Sequence, residues 1–317
     1  MIAKRIVALL VAARAVAALA PASDAPRALR SEARPTPLDA PRALCAEADV
    51  TALMRSATVQ FEADGWADAA ARSLRDDGFC VVRADSRVSR RVTERCRAAA
   101  SSRLSDLQAR VERRGVATWR RDGGPDDCEP YRFLELVHRE GTGRYDMPLP
   151  WCAGGATRGD VKLADAKASA FAALHGAMDE VARPVVDALW GDGAANDEAP
   201  RAGCVISEPG ASAQPWHRDG PDGLVDVFSP LVELTPRNGP TDLKPGTHLD
   251  GDDGDVASFT IAPLLEPRDL LFFDYRCLHR GRANEGAARR EVAYVVYARR
   301  GAKDVQNFPA AATLEYD

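Results

Sequence analysis

The stretch that decides the fold is QPWHRDG, residues Gln214–Gly220, in which a histidine and an aspartate stand two positions apart. Histidine is scarce in this chain, with five among 317 residues. Residues two apart on a β-strand point to the same face of the sheet, so His217 and Asp219 could reach one metal ion. A solvated turn rich in Arg, Asp and Gly would show the same triplet, and the triplet alone leaves both interpretations open.

A histidine and an arginine further along the chain favour the metal site. His279 follows the strand-like stretch DLLFFDYRCL, and Arg290 begins the strand-like stretch REVAYVVYA. Two imidazoles and one carboxylate on one face are the ligand set of non-haem Fe(II) oxygenases, which leaves other coordination positions open. A guanidinium binds a carboxylate through two parallel hydrogen bonds, so Arg290 is the candidate anchor for a dicarboxylate. The four residues together predict a site for Fe(II) and 2-oxoglutarate.

The composition and charge of the chain indicate which class of partner it binds. The formal net charge is −5, the pI is near 5.7, and no basic stretch is interleaved with aromatic residues. This pattern lacks the electrostatic footprint of a nucleic-acid-binding protein, and a small-molecule substrate is the expected partner. The seven cysteines are odd in number and form no CxxC pair, which excludes a zinc ribbon and a disulfide framework. The sequence predicts no particular oligomeric state.

The N-terminal stretch MIAKRIVALLVAARAVAALAPA combines a basic start, an apolar run and small residues near its end. It predicts a signal or targeting peptide over residues 1–22, with delivery to the secretory pathway or an organelle rather than the cytoplasm. An organelle transit sequence and an ordinary short helix are the alternatives. Arg14 interrupts the apolar run, so we expect no stable membrane span.

The rest of the chain divides by its patterns. Residues 23–58 are rich in Ala, Pro and Arg with little periodicity, which predicts a disordered linker. A folded domain is expected over residues 59–309, followed by a C-terminal tail over residues 310–317. Within the domain, helical periodicity dominates up to Pro200, and short stretches rich in Val, Phe, Ile and Tyr follow it. This order predicts a mainly β fold with flanking helices, and no fixed-period repeat indicates a propeller or solenoid.

The sequence resembles the phytanoyl-CoA dioxygenase family of Fe(II)/2-oxoglutarate-dependent oxygenases. The resemblance rests on QPWHRDG, NGPTDLKPGTH, DLLFFDYRCLHRGRAN and the Arg-initiated strand that ends YARR, with LRDDGFCVV and GRYDMPLP fitting more loosely. It covers roughly residues 59–309. The resemblance implies a double-stranded β-helix, a cupin-like jelly roll that holds iron near one open end.

The resemblance also implies the roles of individual residues. Arg290 would bind the distal carboxylate of 2-oxoglutarate, and Arg289 is the alternative anchor because a one-residue shift in the preceding loop would exchange the two. Gln214 is expected to line the co-substrate pocket. The iron ligands, and with them the catalytic centre, would be His217, Asp219 and His279.

Four neighbouring residues are expected to have structural roles. His248, which closes KPGTH, and Asn284, which precedes the Arg290 strand, should hold loops rather than contact substrate. Trp216 and Arg218 alternate with the two ligands and should face away from the metal.

The implied reaction is oxidative decarboxylation of 2-oxoglutarate with O₂, releasing succinate and CO₂ and hydroxylating an unactivated C–H of a small molecule. Because Asp219 retains a carboxylate where halogenating relatives have Gly or Ala, hydroxylation is favoured over halogenation. The chain contains no stretch that indicates a coenzyme A site. Two alternatives remain at this point: a non-catalytic jelly-roll binding protein, and a cupin-type metal enzyme that does not use 2-oxoglutarate.

Overall fold

The computed structural model describes residues 47–118, 130–139, 143–148, 170–195, 201–249, 259–304, 307 and 314. The predicted targeting peptide, residues 1–22, lies outside them. In chain order the described elements are α1 (Glu47–Ser56), β1 (Thr58–Gln60), α2 (Trp66–Asp77), β2 (Phe79–Arg83), α3 (Arg90–Arg113), β3 (Tyr131–Arg132), β4 (Val137–His138), β5 (Arg144–Pro148), α4 (Ala170–Trp190), β6 (Arg201–Ser207), β7 (Leu224–Pro230), β8 (Thr241–Lys244), β9 (Asp269–Asp274), β10 (Leu278–Gly281) and β11 (Arg290–Ala298).

Local chemistry explains where α3 begins and α2 ends. The side chain of Ser89 accepts a hydrogen bond from the N–H of Val92 and caps the start of α3. Helix α2 ends at Gly78, whose φ of 81° lies in the left-handed region that glycine enters without steric cost. Strand β2 follows directly at Phe79. None of the described helices is both long enough and apolar enough to cross a membrane.

The strands that the structure describes form two sheets. One has nine strands in the order β1-β2-β9-β7-β11-β6-β5-β4-β3, and the other pairs β8 with β10. Neighbouring strands are antiparallel except for β1 and β2. The fold is thus mainly β with flanking helices around a jelly-roll core, as the sequence predicts.

Strand β11 is buried on both faces because it separates a helix-covered core from a cavity. Val295 and Tyr297 join a core cluster that includes Leu104 of α3. Tyr294 and Val296, which alternate with them, line the cavity instead. Successive side chains of a strand point to opposite faces, so one strand serves both the core and the cavity.

Helix α1 lies within the segment, residues 23–58, for which the sequence predicts disorder. Its residues Leu53 and Met54 are partly buried and pack against a core cluster that contains Phe79. The hydroxyl of Thr58 donates a hydrogen bond to the Met54 carbonyl at 2.6 Å. Disorder is therefore the wrong prediction from residue 47 onward, because packing against distant residues, which no local pattern reveals, stabilises this helix.

The C-terminal end of the chain also packs against the domain. Leu314, within the predicted tail, is 1% exposed and joins the same core cluster as Leu104. Its N–H donates a hydrogen bond to Oε2 of Glu135 at 2.9 Å. The chain beyond β11 is therefore anchored to the folded domain at this residue.

Candidate active site

His217 and His279 lie side by side on two segments that meet at one β-bridge. The N–H of His217 donates to the His279 carbonyl at 3.0 Å, and the N–H of His279 donates to the His217 carbonyl at 2.9 Å. The segment that carries His217 forms no regular strand, so the expected strand is reduced to this single bridge. The reciprocal pair of backbone hydrogen bonds is what keeps the two imidazoles adjacent, with ring centroids 4.4 Å apart.

The donor atoms of the triad point towards one another. Oδ1 of Asp219 lies 3.7 Å from Nε2 of His217, and Oδ2 lies 3.3 Å from Nε2 of His279. The Nδ1 atoms lie 2.9 Å and 3.0 Å from the carbonyls of Pro215 and Cys277. A carbonyl only accepts hydrogen bonds, so each Nδ1 carries the hydrogen and each neutral ring keeps an Nε2 lone pair for a metal.

This donor set fits Fe(II). One potential ligand atom from each of His217, Asp219 and His279 lies within 4.8 Å of the other two. Two imidazole nitrogens with one carboxylate oxygen suit a non-haem iron and leave further coordination positions free. The structure therefore brings together all three residues that the sequence singles out as ligands.

Burial and charge act differently on the carboxyl groups at the triad. Burial opposes the charge of Asp219, but His279 and His217 outweigh it and hold the pKa of Asp219 well below its usual range. Burial raises the pKa of Asp226 far above its usual range, and the charge of Asp219 adds to that effect. The two pKa values are thus shifted in opposite directions, and the side chains of Asp226 and Asp219 hydrogen-bond to each other.

A cavity between the two sheets contains the triad. It encloses about 690 Å³, counted out to its opening to solvent. Apolar side chains such as Val205, Phe228 and Val292 form part of the wall, and polar and ionisable side chains, among them those of the triad, converge on the same space. This combination is typical of small-molecule sites.

Arg290 reaches the cavity from the first position of β11. Its side chain donates hydrogen bonds to the Gly239 carbonyl at 2.8 Å and to Oγ of Ser207 at 2.9 Å. The residue is 2% exposed, and burial lowers the pKa of Arg290 to about 10. Its Nε is buried and has no partner among the described residues. A buried cation with an unused hydrogen-bond donor is suited to binding an anion.

Arg144 is a second cavity arginine, which sequence reasoning missed. Pairing across β5, β6 and β11 puts it directly beside Ser207, with Arg290 on the other side. Its guanidinium donates to Oγ of Ser207 and to the carbonyls of Ser212 and Arg282. Burial lowers the pKa of Arg144 well below its usual range, and the charge of Arg290 adds to that effect.

Among the described residues, no acidic side chain pairs with Arg144 or Arg290, whereas Arg139, a third arginine of the cavity wall, pairs with Asp146. Among the described residues, every hydrogen-bond acceptor of Arg144 and Arg290 is a carbonyl or the Ser207 hydroxyl. The Nε of Arg144, like that of Arg290, is buried without a described partner. The signal for Arg144 in the sequence was the stretch GRYDMPLP, which fits the family loosely and places this arginine at a strand start.

Gln214 and Arg289, the other two predicted co-substrate residues, differ in position. Gln214 lines the cavity, and its Oε1 accepts a hydrogen bond from the N–H of Gly281 at 3.0 Å. Arg289 is not part of the cavity wall. Its Nε donates to both carboxylate oxygens of Glu208, at 2.8 Å and 2.9 Å. Arg290 thus lines the cavity that contains the triad, and Arg289 does not.

Asn284 and His248 have the structural roles that the sequence predicts. The amide of Asn284 donates to the carbonyls of Ser207 and Ala288, at 3.0 Å and 2.9 Å, and so holds the loop before β11. Nε2 of His248 lies 3.0 Å from the Arg75 carbonyl, which ties its loop to α2.

Trp216 and Arg218 also have contacts away from the ligand atoms. The Trp216 ring packs beneath the guanidinium of Arg280, 4.6 Å from the ring centroid. Arg218 donates hydrogen bonds to the carbonyls of Thr247 and Arg276.

A model of the family described as "Phytanoyl-CoA dioxygenase (PhyH)" matches residues 74–292. The chain belongs to the phytanoyl-CoA dioxygenase family. The matched range contains the triad, Arg144 and Arg290.

Individual relatives of this phytanoyl-CoA dioxygenase family member are distant. The "Dioxygenase FrzG" of Cladobotryum sp is 35% identical over 101 residues, which cover 25% of this chain and 33% of that protein. The chain therefore spans about a third of the length of the curated relative that it matches. The crystal structure of AviO1 from Streptomyces viridochromogenes Tue57 is similar with a TM-score of 0.50 and 21% identity, over 74% of this chain and 96% of AviO1. SnoN, described as a non-heme alpha ketoglutarate dependent epimerase from nogalamycin biosynthesis, is 16% identical over 84% of this chain and 97% of its own, with a TM-score of 0.47.

Proposed function

We propose that the protein is an Fe(II)/2-oxoglutarate-dependent dioxygenase that hydroxylates an unactivated C–H of a small molecule and releases succinate and CO₂. The observation that carries the proposal is the convergence of His217, Asp219 and His279 in a cavity that also holds two buried arginines without acidic partners.

The three residues of the triad are the proposed iron ligands. Bound iron supplies the O₂ and one-electron chemistry, which amino-acid side chains do not perform. The task of the chain is to hold the donors in place. The bridge between His217 and His279 fixes the two backbones, and the carbonyls of Pro215 and Cys277 fix the ring orientations.

Arg290, Ser207 and Arg144 form the proposed binding site for the distal carboxylate of 2-oxoglutarate. Taking a carboxylate out of water is costly unless charged donors replace its hydration. The two guanidinium groups carry opposite charge to the carboxylate, and the Nε of each has no hydrogen-bond partner in the described part of the chain. Because Ser207 Oγ accepts hydrogen bonds from both arginines, its own hydroxyl hydrogen is free to donate to the same anion.

Hydroxylation is the proposed outcome because Asp219 remains among the ligands, where it occupies a position that a halide would otherwise take. The apolar part of the wall around Val205, Phe228 and Val292 is suited to holding a small organic substrate near the triad. A small-molecule substrate is part of the proposal. The family name itself carries no information on whether phytanoyl-CoA or another coenzyme A ester is that substrate.

The experiment that tests the proposal measures Fe(II)-dependent formation of succinate from 2-oxoglutarate and O₂, without added substrate. The expected result is slow turnover by the parent protein and none by His217→Ala or His279→Ala. Elemental analysis should show about one iron per chain in the parent and a loss of bound iron in both variants. His175→Ala, which removes a histidine of α4 outside the cavity wall, is the matched control. Normal iron loading in both triad variants would contradict the ligand assignment.

A further inference from the structure

Both backbone groups of Asp219 are held by residues that lie far away in the sequence. Its N–H donates to the Tyr275 carbonyl at 2.9 Å, and its carbonyl accepts a hydrogen bond from Nδ2 of Asn307 at 2.8 Å. The segment around Asp219 meets β10 at the His217 bridge and at Gly281, but these two backbone hydrogen bonds of Asp219 itself go to residues outside β10. Tyr275 and Asn307 therefore hold the backbone from which the Asp219 carboxylate extends.

Asn307 is itself held in place by its neighbour Asp304. The carboxylate of Asp304 accepts hydrogen bonds from the N–H of Asn307 at 3.1 Å and from its Nδ2 at 3.3 Å. The same carboxylate accepts a hydrogen bond from the hydroxyl of Tyr275 at 3.2 Å. Tyr275 thus binds the chain on both sides of the site: its carbonyl holds Asp219, and its hydroxyl holds the segment that carries Asn307.

One residue beyond β11 is part of the wall of the cavity. Asn307 lines the cavity, and Leu314 further along is buried in the main core. Both lie beyond residues 74–292, the range matched by the family. The cavity that contains the triad is therefore lined in part by a residue outside the matched range.

We propose that Asn307 is a positioning residue for the iron site, acting through the backbone of Asp219. The inference rests on the proposed role of Asp219 as an iron ligand. Groups that hydrogen-bond to the residues carrying metal ligands orient the donor atoms and raise metal affinity. Asn307 acts on the backbone of Asp219. Its side-chain amide donates a hydrogen bond to the Asp219 carbonyl, the group that a neighbouring strand would pair with in a regular sheet.

Two substitutions separate the hydrogen-bond donor from simple packing. Asn307→Asp keeps the shape and size of the side chain but replaces the donating amide by an acceptor oxygen. Asn307→Ala removes the side chain. If Asn307 only fills space, the Asp variant resembles the parent; if its donor positions Asp219, the Asp variant behaves like the Ala variant or worse. Lys303→Ala, at an exposed position of the same segment, is the matched control.

The probe is Co(II) alone, added to the metal-free full-length protein without O₂ or 2-oxoglutarate. Visible absorption of bound Co(II) reports both the affinity and the arrangement of the ligands. We expect Asn307→Asp and Asn307→Ala to bind Co(II) about three- to tenfold more weakly than the parent, the effect of one lost hydrogen bond. We expect the absorption spectrum at saturation to change in both, and Lys303→Ala to match the parent. Thermal unfolding of the metal-free proteins shows that each variant is folded.

The outcomes separate this inference from the proposed function. A parent protein that binds no Co(II) at the triad, judged with His279→Ala, contradicts the proposed iron site itself. A parent that binds Co(II), together with Asn307→Asp of equal affinity and an identical spectrum, overturns only the role of Asn307. An equal loss of affinity in Lys303→Ala also overturns it, because the effect would then belong to the segment in general.

Discussion

Arg144 and Arg290 donate hydrogen bonds to the same atom, Oγ of Ser207, from strands on either side of it. Two buried cations this close repel each other, and the repulsion contributes to the lowered pKa of Arg144. Such an arrangement costs free energy in the absence of a ligand. A carboxylate bound between the two guanidinium groups would offset that cost, which connects their geometry to the proposed binding of 2-oxoglutarate.

Replacing Arg290 by Ala should weaken 2-oxoglutarate binding by well over tenfold. Removing a charged partner from a buried anion costs about 2–5 kcal/mol. Arg289→Ala is the matched control, because Arg289 pairs with Glu208 outside the cavity wall and should leave the affinity unchanged. Titration of the Mn(II)-loaded proteins with 2-oxoglutarate, without O₂, measures the affinity, and metal binding should stay intact in both. Loss of affinity in Arg289→Ala alone would show that Arg289, and not Arg290, binds the 2-oxoglutarate carboxylate.

Arg144→Gln should also weaken 2-oxoglutarate binding, by about tenfold, because a hydrogen bond to a charged partner contributes about 1.5–3 kcal/mol. Glutamine keeps hydrogen-bonding capacity but removes the charge. The same titration measures the effect, and Co(II) affinity provides the control for the metal site. Unchanged 2-oxoglutarate affinity would assign Arg144 a purely structural role on β5.

The thiols of Cys96 and Cys277 should resist alkylation in the folded protein. Burial raises the pKa of each thiol to about 12, so at pH 8 almost none of the reactive thiolate is present. Treatment with iodoacetamide followed by peptide mass spectrometry should find both residues unmodified. The same peptides should become fully labelled in concentrated urea. Fast labelling of either residue in native buffer would show that its surroundings open to solvent.

The triad could be predicted from sequence because its signal is local. The two-residue spacing of His217 and Asp219, and the position of Arg290 at the start of a strand, are visible in short stretches of residues. Arg144 could not be found in this way. It reaches the cavity through the register of three strands, two of which are far from it in sequence, and it fits because Gly281 has no side chain.

The ends of the domain were hard to predict for the same physical reason. Helix α1 has little amphipathic pattern and is stabilised by contacts of Leu53 and Met54 with a distant core cluster. Asn307 stands in a stretch without periodicity, and its hydrogen bond to Asp219 joins residues that no local rule connects. Contacts between distant parts of the chain, rather than propensity, decide these segments.

Gly281→Ala should reduce 2-oxoglutarate affinity by displacing Arg144. A Cβ at this position would lie 2.7 Å from a terminal nitrogen of Arg144 and 2.8 Å from Oε1 of Gln214, so both side chains must move. Because both obstacles are ends of flexible side chains, the free energy of unfolding should change little, by about 1 kcal/mol or less. Urea unfolding measures that change, and titration with 2-oxoglutarate measures the affinity.

A double-mutant cycle decides whether Gly281→Ala acts through Arg144. If the added methyl group works by moving the guanidinium, it should cost little further affinity once Arg144→Gln has removed the group, so the two effects should not add. Additive losses in the double variant would mean that the methyl group obstructs 2-oxoglutarate directly, and the explanation through Arg144 would be wrong. Full 2-oxoglutarate affinity in Gly281→Ala alone would likewise show that Arg144 does not need its observed position to support binding.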